Sequence, residues 1–128
     1  GNANALCGDA GCGVAFKIDT HNLLTQIHAY CRDEACTDGG VPARLSQNVT
    51  GDMNGLTNVG GANGDGTLYL FTSGIVTLKD FTCSKTSCVN GSAPQGGILS
   101  DADGHLFATM SSGGANGGGT LIKYTPPE

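Results

Sequence analysis

A chain of 128 residues has room for one ordinary domain, and 22 glycines, no tryptophan and only 13% charged residues make it poor material for a helical bundle, because a glycine inside a helix costs about 1 kcal/mol relative to alanine. A net charge of −5 argues against nucleic acid, since phosphate recognition needs a surplus of lysine and arginine. No apolar run reaches the roughly 18 residues that a membrane-spanning helix requires.

Residues 1–12 read as a glycine/asparagine/alanine entry turn carrying Cys7 and Cys12. A short alternating strand is expected from Gly13 to Ile18, a polar turn at Asp19–Asn22 and a return strand from Leu23 to Tyr30. Cys31–Cys36 caps that hairpin, Thr37–Pro42 turns the chain, and strands near Ala43–Gln47 and Asp52–Asn58 complete a unit. The order then repeats. Gly66–Thr72 is a strand, Ser73-Gly74 a tight turn, Ile75–Thr82 the return strand and Cys83–Cys88 the second cysteine turn. Val89–Pro94 matches Thr37–Pro42 with both glycine and proline kept, and strands at Gly97–Ser100 and His105–Met110 follow. Gly119–Thr125 begins a third unit that stops at Pro126-Pro127-Glu128.

The strand starts at Gly13, Gly66 and Gly119 lie 53 residues apart, and Gly-Gly-Ala-Asn precedes two of them, at Gly60–Asn63 and Gly113–Asn116. A fixed period of that length is the mark of a repeat protein. The expected fold is therefore all-β, with tandem four-stranded antiparallel units of about 53 residues that resemble propeller blades, and an extra C-terminal strand. The division is residues 1–12 as entry turn, 13–65 and 66–118 as repeat units, and 119–128 as the first strand of an incomplete unit. Because the chain opens inside a repeat and shows no signal peptide, a processed product or a piece of a longer parent is expected.

Six cysteines fall as three pairs, Cys7/Cys12, Cys31/Cys36 and Cys83/Cys88, each with four residues between. Two cysteines five apart can face each other across a turn within disulfide reach, and the repeated local spacing favours local pairing over free thiols or a metal set. Disulfides imply an oxidising, extracytoplasmic setting. Asn48-Val49-Thr50 and Asn90-Gly91-Ser92 are candidate glycosylation acceptors in loop or strand-edge positions. Asp101-Ala102-Asp103-Gly104 starts like a calcium loop but lacks the later oxygen ligands, so a plain turn is expected; Asp33, Glu34 and Asp38 read as a solvated acidic loop. His21, His28 and His105 stand in no motif with a nucleophile, and Ser111-Ser112 lacks a nucleophile-elbow context. No catalytic residue, cofactor or metal ligand is assigned, and Tyr69 and Phe107 read as core aromatics.

Three features together carry a family resemblance: Gly-Gly-Ala-Asn-Gly-x-Gly-Thr at 60–67 and 113–120 with its strand, an aromatic just before two of the C-x4-C pairs (Tyr30 before Cys31, Phe81 before Cys83), and a glycine and proline after each of those two pairs. The chain resembles the secreted bacterial GloVer-type, or choice-of-anchor, tandem repeats over essentially its whole length. The resemblance implies a propeller-like fold and carries no catalytic residue. The Leu-Tyr-Gly-Thr-Thr strand of that family stands here only as Met53–Thr57 and Leu106–Met110.

An incomplete propeller leaves sheet edges open. The strand Gly119, Thr120, Leu121, Ile122, Lys123, Tyr124, Thr125, with no blade of its own, would complement a partner's first unit. The expected function is thus an extracellular structural protein that self-associates into a fibre or surface assembly. The alternative is a glycan-binding propeller-type lectin or adhesin. A propeller hydrolase or lyase is a third class, for which the units offer no paired carboxylates.

Overall fold

The computed structural model describes residues 5–83 and 88–127. Among them the chain is all-β, without a helix, in eleven short strands. These are β1 (Val14–Ile18), β2 (Leu24–Ala29), β3 (Gly40–Pro42), β4 (Ser46–Gln47), β5 (Met53–Val59), β6 (Thr67–Phe71), β7 (Ile75–Asp80), β8 (Ser92–Pro94), β9 (Leu99–Ser100), β10 (Leu106–Ser112) and β11 (Thr120–Tyr124). All pair antiparallel, in three small sheets: β1-β2, then β3-β5-β6-β7 with β4 also on β5, then β8-β10-β11 with β9 also on β10.

The sheets are phased differently from the sequence units. β5, placed at the end of the first unit, pairs with β6 at the start of the second (Gly55↔Tyr69, Leu56↔Leu68). The Gly60–Gly66 segment between them is a hairpin connection, and local chemistry makes it one. Thr57 Oγ1 accepts the Thr67 N–H at 2.9 Å and meets Thr67 Oγ1 at 3.0 Å, and Gly66 packs so tightly on the Thr57 carbonyl that no Cβ fits. Gly66 also has φ +93°, a conformation glycine adopts without penalty. The C-terminal strand is likewise not left without a sheet, because β11 pairs with β10 from Leu106↔Tyr124 to Met110↔Thr120.

Two strands lie where sequence indicated turns. In β3 and β8 only the outer residues pair (Gly40↔Val59 and Pro42↔Thr57; Ser92↔Ser112 and Pro94↔Met110). The middle residues, Val41 and Ala93, sit at φ 52° and 53°, which breaks the alternation that would have announced a strand. The strand expected near Ala43–Gln47 shortens to Ser46–Gln47.

Alternation along β6 sends Leu68 and Tyr69 to opposite faces, so the middle sheet is covered on both sides. Leu56, Leu68, Phe81, Ile98, Leu106, Ala108 and Met110 form one buried cluster toward the last sheet. Cys12, Ala15, Tyr30, Cys31, Cys36 and Tyr69 form a second toward the β1–β2 hairpin.

Candidate functional site

The second cluster gathers most of the chain's chemistry. Cys7–Cys12 and Cys31–Cys36 are disulfide-bonded, as is Cys83–Cys88; residues 84–87 of that last turn lie outside the described residues. Cys12 and Cys36 are fully buried and Cys31 nearly so, while Cys7 is partly open. Three disulfides indicate an oxidising compartment. The second and third are followed by like hydrogen bonds: the Cys36 carbonyl accepts N–H groups from Gly39 (2.9 Å) and Gly61 (2.8 Å), and the Cys88 carbonyl accepts from Gly91 (3.2 Å) and Gly114 (2.8 Å).

Beside the sulfurs, His28 on β2 and Tyr30 just past its end lie two residues apart and come together. Their rings meet edge to face at 4.9 Å. Tyr30 and Tyr69, 39 residues apart, share a hydroxyl–hydroxyl hydrogen bond of 2.5 Å that fastens the hairpin to the middle sheet. Burial pushes both phenols above the ordinary tyrosine range; the shared bond opposes this for Tyr30 and adds to it for Tyr69. Asp38 is not a solvated loop carboxylate. Its Oδ2 accepts from the buried His28 Nε2 at 2.8 Å and its Oδ1 from the Cys31 N–H at 2.9 Å. The pair was not legible in sequence because ten residues and a disulfide turn separate its members. His28, Arg32, Asp33, Asp38 and Ser73 line a surface hollow of about 420 Å³. Among the described residues the His28 ring hydrogen-bonds Asp38 and no hydroxyl or thiol.

The sheet edges form a second candidate surface. β6 is flanked by β5 and β7, whereas β1 has β2 on one side and no strand on the other among the described residues. An apolar groove of about 290 Å³ runs there, lined by Val14, Ala15, Phe16, Tyr30, Pro42 and Leu45. The hairpin also exposes Phe16, Ile18, Leu23 and Leu24 at 52–63% of their surface. Tyr69, one 53-residue step after Phe16, is 0% exposed. At the other end β11 pairs on one side only among the described residues, and Leu121 is 71% exposed.

Asn48, Asn90, Asp101 and Phe107, also singled out in the sequence, lie outside the His28–Asp38 hollow. Asn48 Oδ1 accepts from Thr50 N, Thr50 Oγ1 and Asp52 N at 2.7–3.0 Å, an Asx turn on the surface. Asn90 is exposed, its carbonyl accepting from Thr120 Oγ1 at 3.0 Å. Asp101 closes its turn through the N–H groups of Asp103 and His105 and through His105 Nδ1 at 2.7 Å; the histidine bond, first among these contacts, holds its carboxyl below the usual range. Phe107 is half-buried under the Lys123 ammonium, 5.8 Å from its ring. Compared with known proteins, the chain matches no family model, no curated protein and no solved structure.

Proposed function

We propose that this chain is an extracellular structural β-repeat protein, of the propeller-blade kind its GloVer-like motifs imply, that associates with copies of itself through open strand edges. The repeat reading is supported by local geometry that returns after 53 residues, in bulges at Ala15/Phe16 and Leu68/Tyr69 and isolated bridges at Gly60↔Asp65 and Gly113↔Gly118, or after 52, in the left-handed residues Val41 and Ala93. The observation that carries the association is the β1–β2 hairpin, whose apolar side chains lie open beside a groove where β6 has a neighbouring strand. A second copy can occupy that edge with the unpaired side of β11. Such a contact uses different surfaces on the two copies and leaves fresh edges at both ends, so it propagates to a ring or a filament.

Light scattering and sedimentation across a concentration series test this. The native chain should form species larger than a monomer whose mass grows with concentration, and Phe16→Lys with Ile18→Lys, which charges the edge, should return it to a monomer with unchanged circular dichroism. A native chain that stays monomeric throughout, or a charged variant that assembles equally, overturns the proposal. A second reading, a glycan-binding module, rests on the polar hollow lined by Arg32, Asp33 and Asp38. Glycan-array binding that Arg32→Ala abolishes, from a monomeric protein, would favour it instead.

A further inference from the structure

The two N-terminal disulfides lie against each other, and nothing in the repeat pattern requires that. One period after Cys7 and Cys12 stand Gly60 and Asp65. There the hairpin end is capped by a carboxylate, with Asp65 Oδ2 accepting the Cys83 N–H at 2.7 Å. In the first hairpin a second cysteine pair occupies the place of that cap. The result is four Sγ atoms, from Cys7, Cys12, Cys31 and Cys36, all within 4.8 Å of one another. Among the described residues Cys83 and Cys88 have no such second pair beside them.

That arrangement has the composition and size of a tetrathiolate metal site. C-x4-C lies within the ligand spacings of structural zinc sites, and zinc–sulfur bonds of about 2.3 Å put tetrahedral sulfurs about 3.8 Å apart. Between the two pairs a contraction of about 1 Å at most is needed, and within each pair the two sulfurs, once reduction has broken their bond, must move apart to that same separation. Buried Cys12, Cys31 and Cys36, packed with Ala15, Tyr30 and Tyr69, form a dry floor, and partly open Cys7 is the entry corner.

We propose that the reduced chain binds one zinc ion through Cys7, Cys12, Cys31 and Cys36, so that the junction between the first hairpin and the middle sheet has two alternative fastenings. A dithiol or phosphine reductant supplies two electrons to each disulfide; with two protons, the S–S bond breaks to two thiols and the reductant is oxidised. Zinc then replaces the four thiol protons, which pass to buffer, and four Zn–S bonds form without redox change at the metal. Two equivalents of a two-electron oxidant, a peroxide or a small-molecule disulfide that is itself reduced, take four electrons from the four thiolates, so that the two S–S bonds re-form and the zinc ion is released.

Cobalt(II), a spectroscopic stand-in for zinc, tests the site in the full chain. Reduced and titrated without oxygen, the protein should take up one equivalent with an intense sulfur-to-cobalt charge-transfer band and tetrahedral visible bands, both bleached by one equivalent of zinc. Cys83→Ser with Cys88→Ser should leave the stoichiometry and spectrum unchanged. Cys7→Ser, at the open corner, should weaken the charge-transfer band by about a quarter, the loss of one bond in four, and Cys7→Ser with Cys12→Ser should abolish the tetrathiolate spectrum. The proposal is overturned by a weak octahedral spectrum, by the same spectrum from the oxidised chain, by a Cys7→Ser band of undiminished intensity, or by loss of binding on removing only Cys83 and Cys88.

Discussion

Replacing Gly55 by alanine probes the contact that joins the hairpin, the middle sheet and the tyrosine pair. Gly55 faces Tyr69 across β5–β6, and an added Cβ would fall on the Tyr69 hydroxyl and Cζ and within 2.8 Å of Cε2. The ring has nowhere to retreat, since Tyr69 is 0% exposed and its hydroxyl is held by Tyr30. Overpacking of this kind costs about 1–3 kcal/mol, and tearing the buried hydroxyls apart costs about 1–3 kcal/mol. One displacement of the ring serves both, so about 2–4 kcal/mol is expected for Gly55→Ala. One period on, Ala108 faces Ile122 across β10–β11, which shows that a sheet of this chain accepts alanine when the opposite residue is isoleucine. In a Tyr69→Ile background Gly55→Ala should therefore cost under about 1 kcal/mol. Urea unfolding followed by circular dichroism suits a chain without tryptophan, and an unchanged m-value would confirm that the native state alone is affected. Additivity of the two substitutions within about 0.5 kcal/mol would refute the reasoning.

Three further outcomes are expected. Thr57→Val should cost about 1–3 kcal/mol, because it orphans the buried Thr67 N–H, whereas Thr57→Ser should recover most of it; equal losses for the two in thermal unfolding would count against that bond. Replacing Cys83 and Cys88 by serine should cost close to the roughly 2 kcal/mol of a short closed loop, and replacing Cys31 and Cys36 should cost more, since those sulfurs are buried; the reverse order of melting temperatures would contradict the assigned burial. Alkaline stability should be governed by Tyr30 and Tyr69, whose folded pKa values are raised. Their contribution is whole below the unfolded tyrosine value of about 10 and declines as pH rises from there toward the folded values. Phenolate absorbance from these two rings should thus appear only with loss of the circular dichroism signal, and ordinary titration in a still-folded chain would sink the idea.

What the sequence determined by itself was what neighbours along the chain decide. The disulfides pair residues five apart, hairpins such as β1–β2 and β6–β7 follow from alternation and tight turns, and glycine density with little charge makes the chain all-β. Tertiary structure decided which strands became partners, because backbone donors and acceptors along a strand are alike and do not name the strand they will meet. Thus β5 joined β6 through a glycine turn that looked like a unit boundary, and Pro42 and Pro94 entered short strands around the left-handed Val41 and Ala93. The sulfur cluster, the His28–Asp38 pair and the Tyr30–Tyr69 bond arose the same way. Each needs two segments laid together by burial of apolar surface, a force that has magnitude but no address in the linear chain.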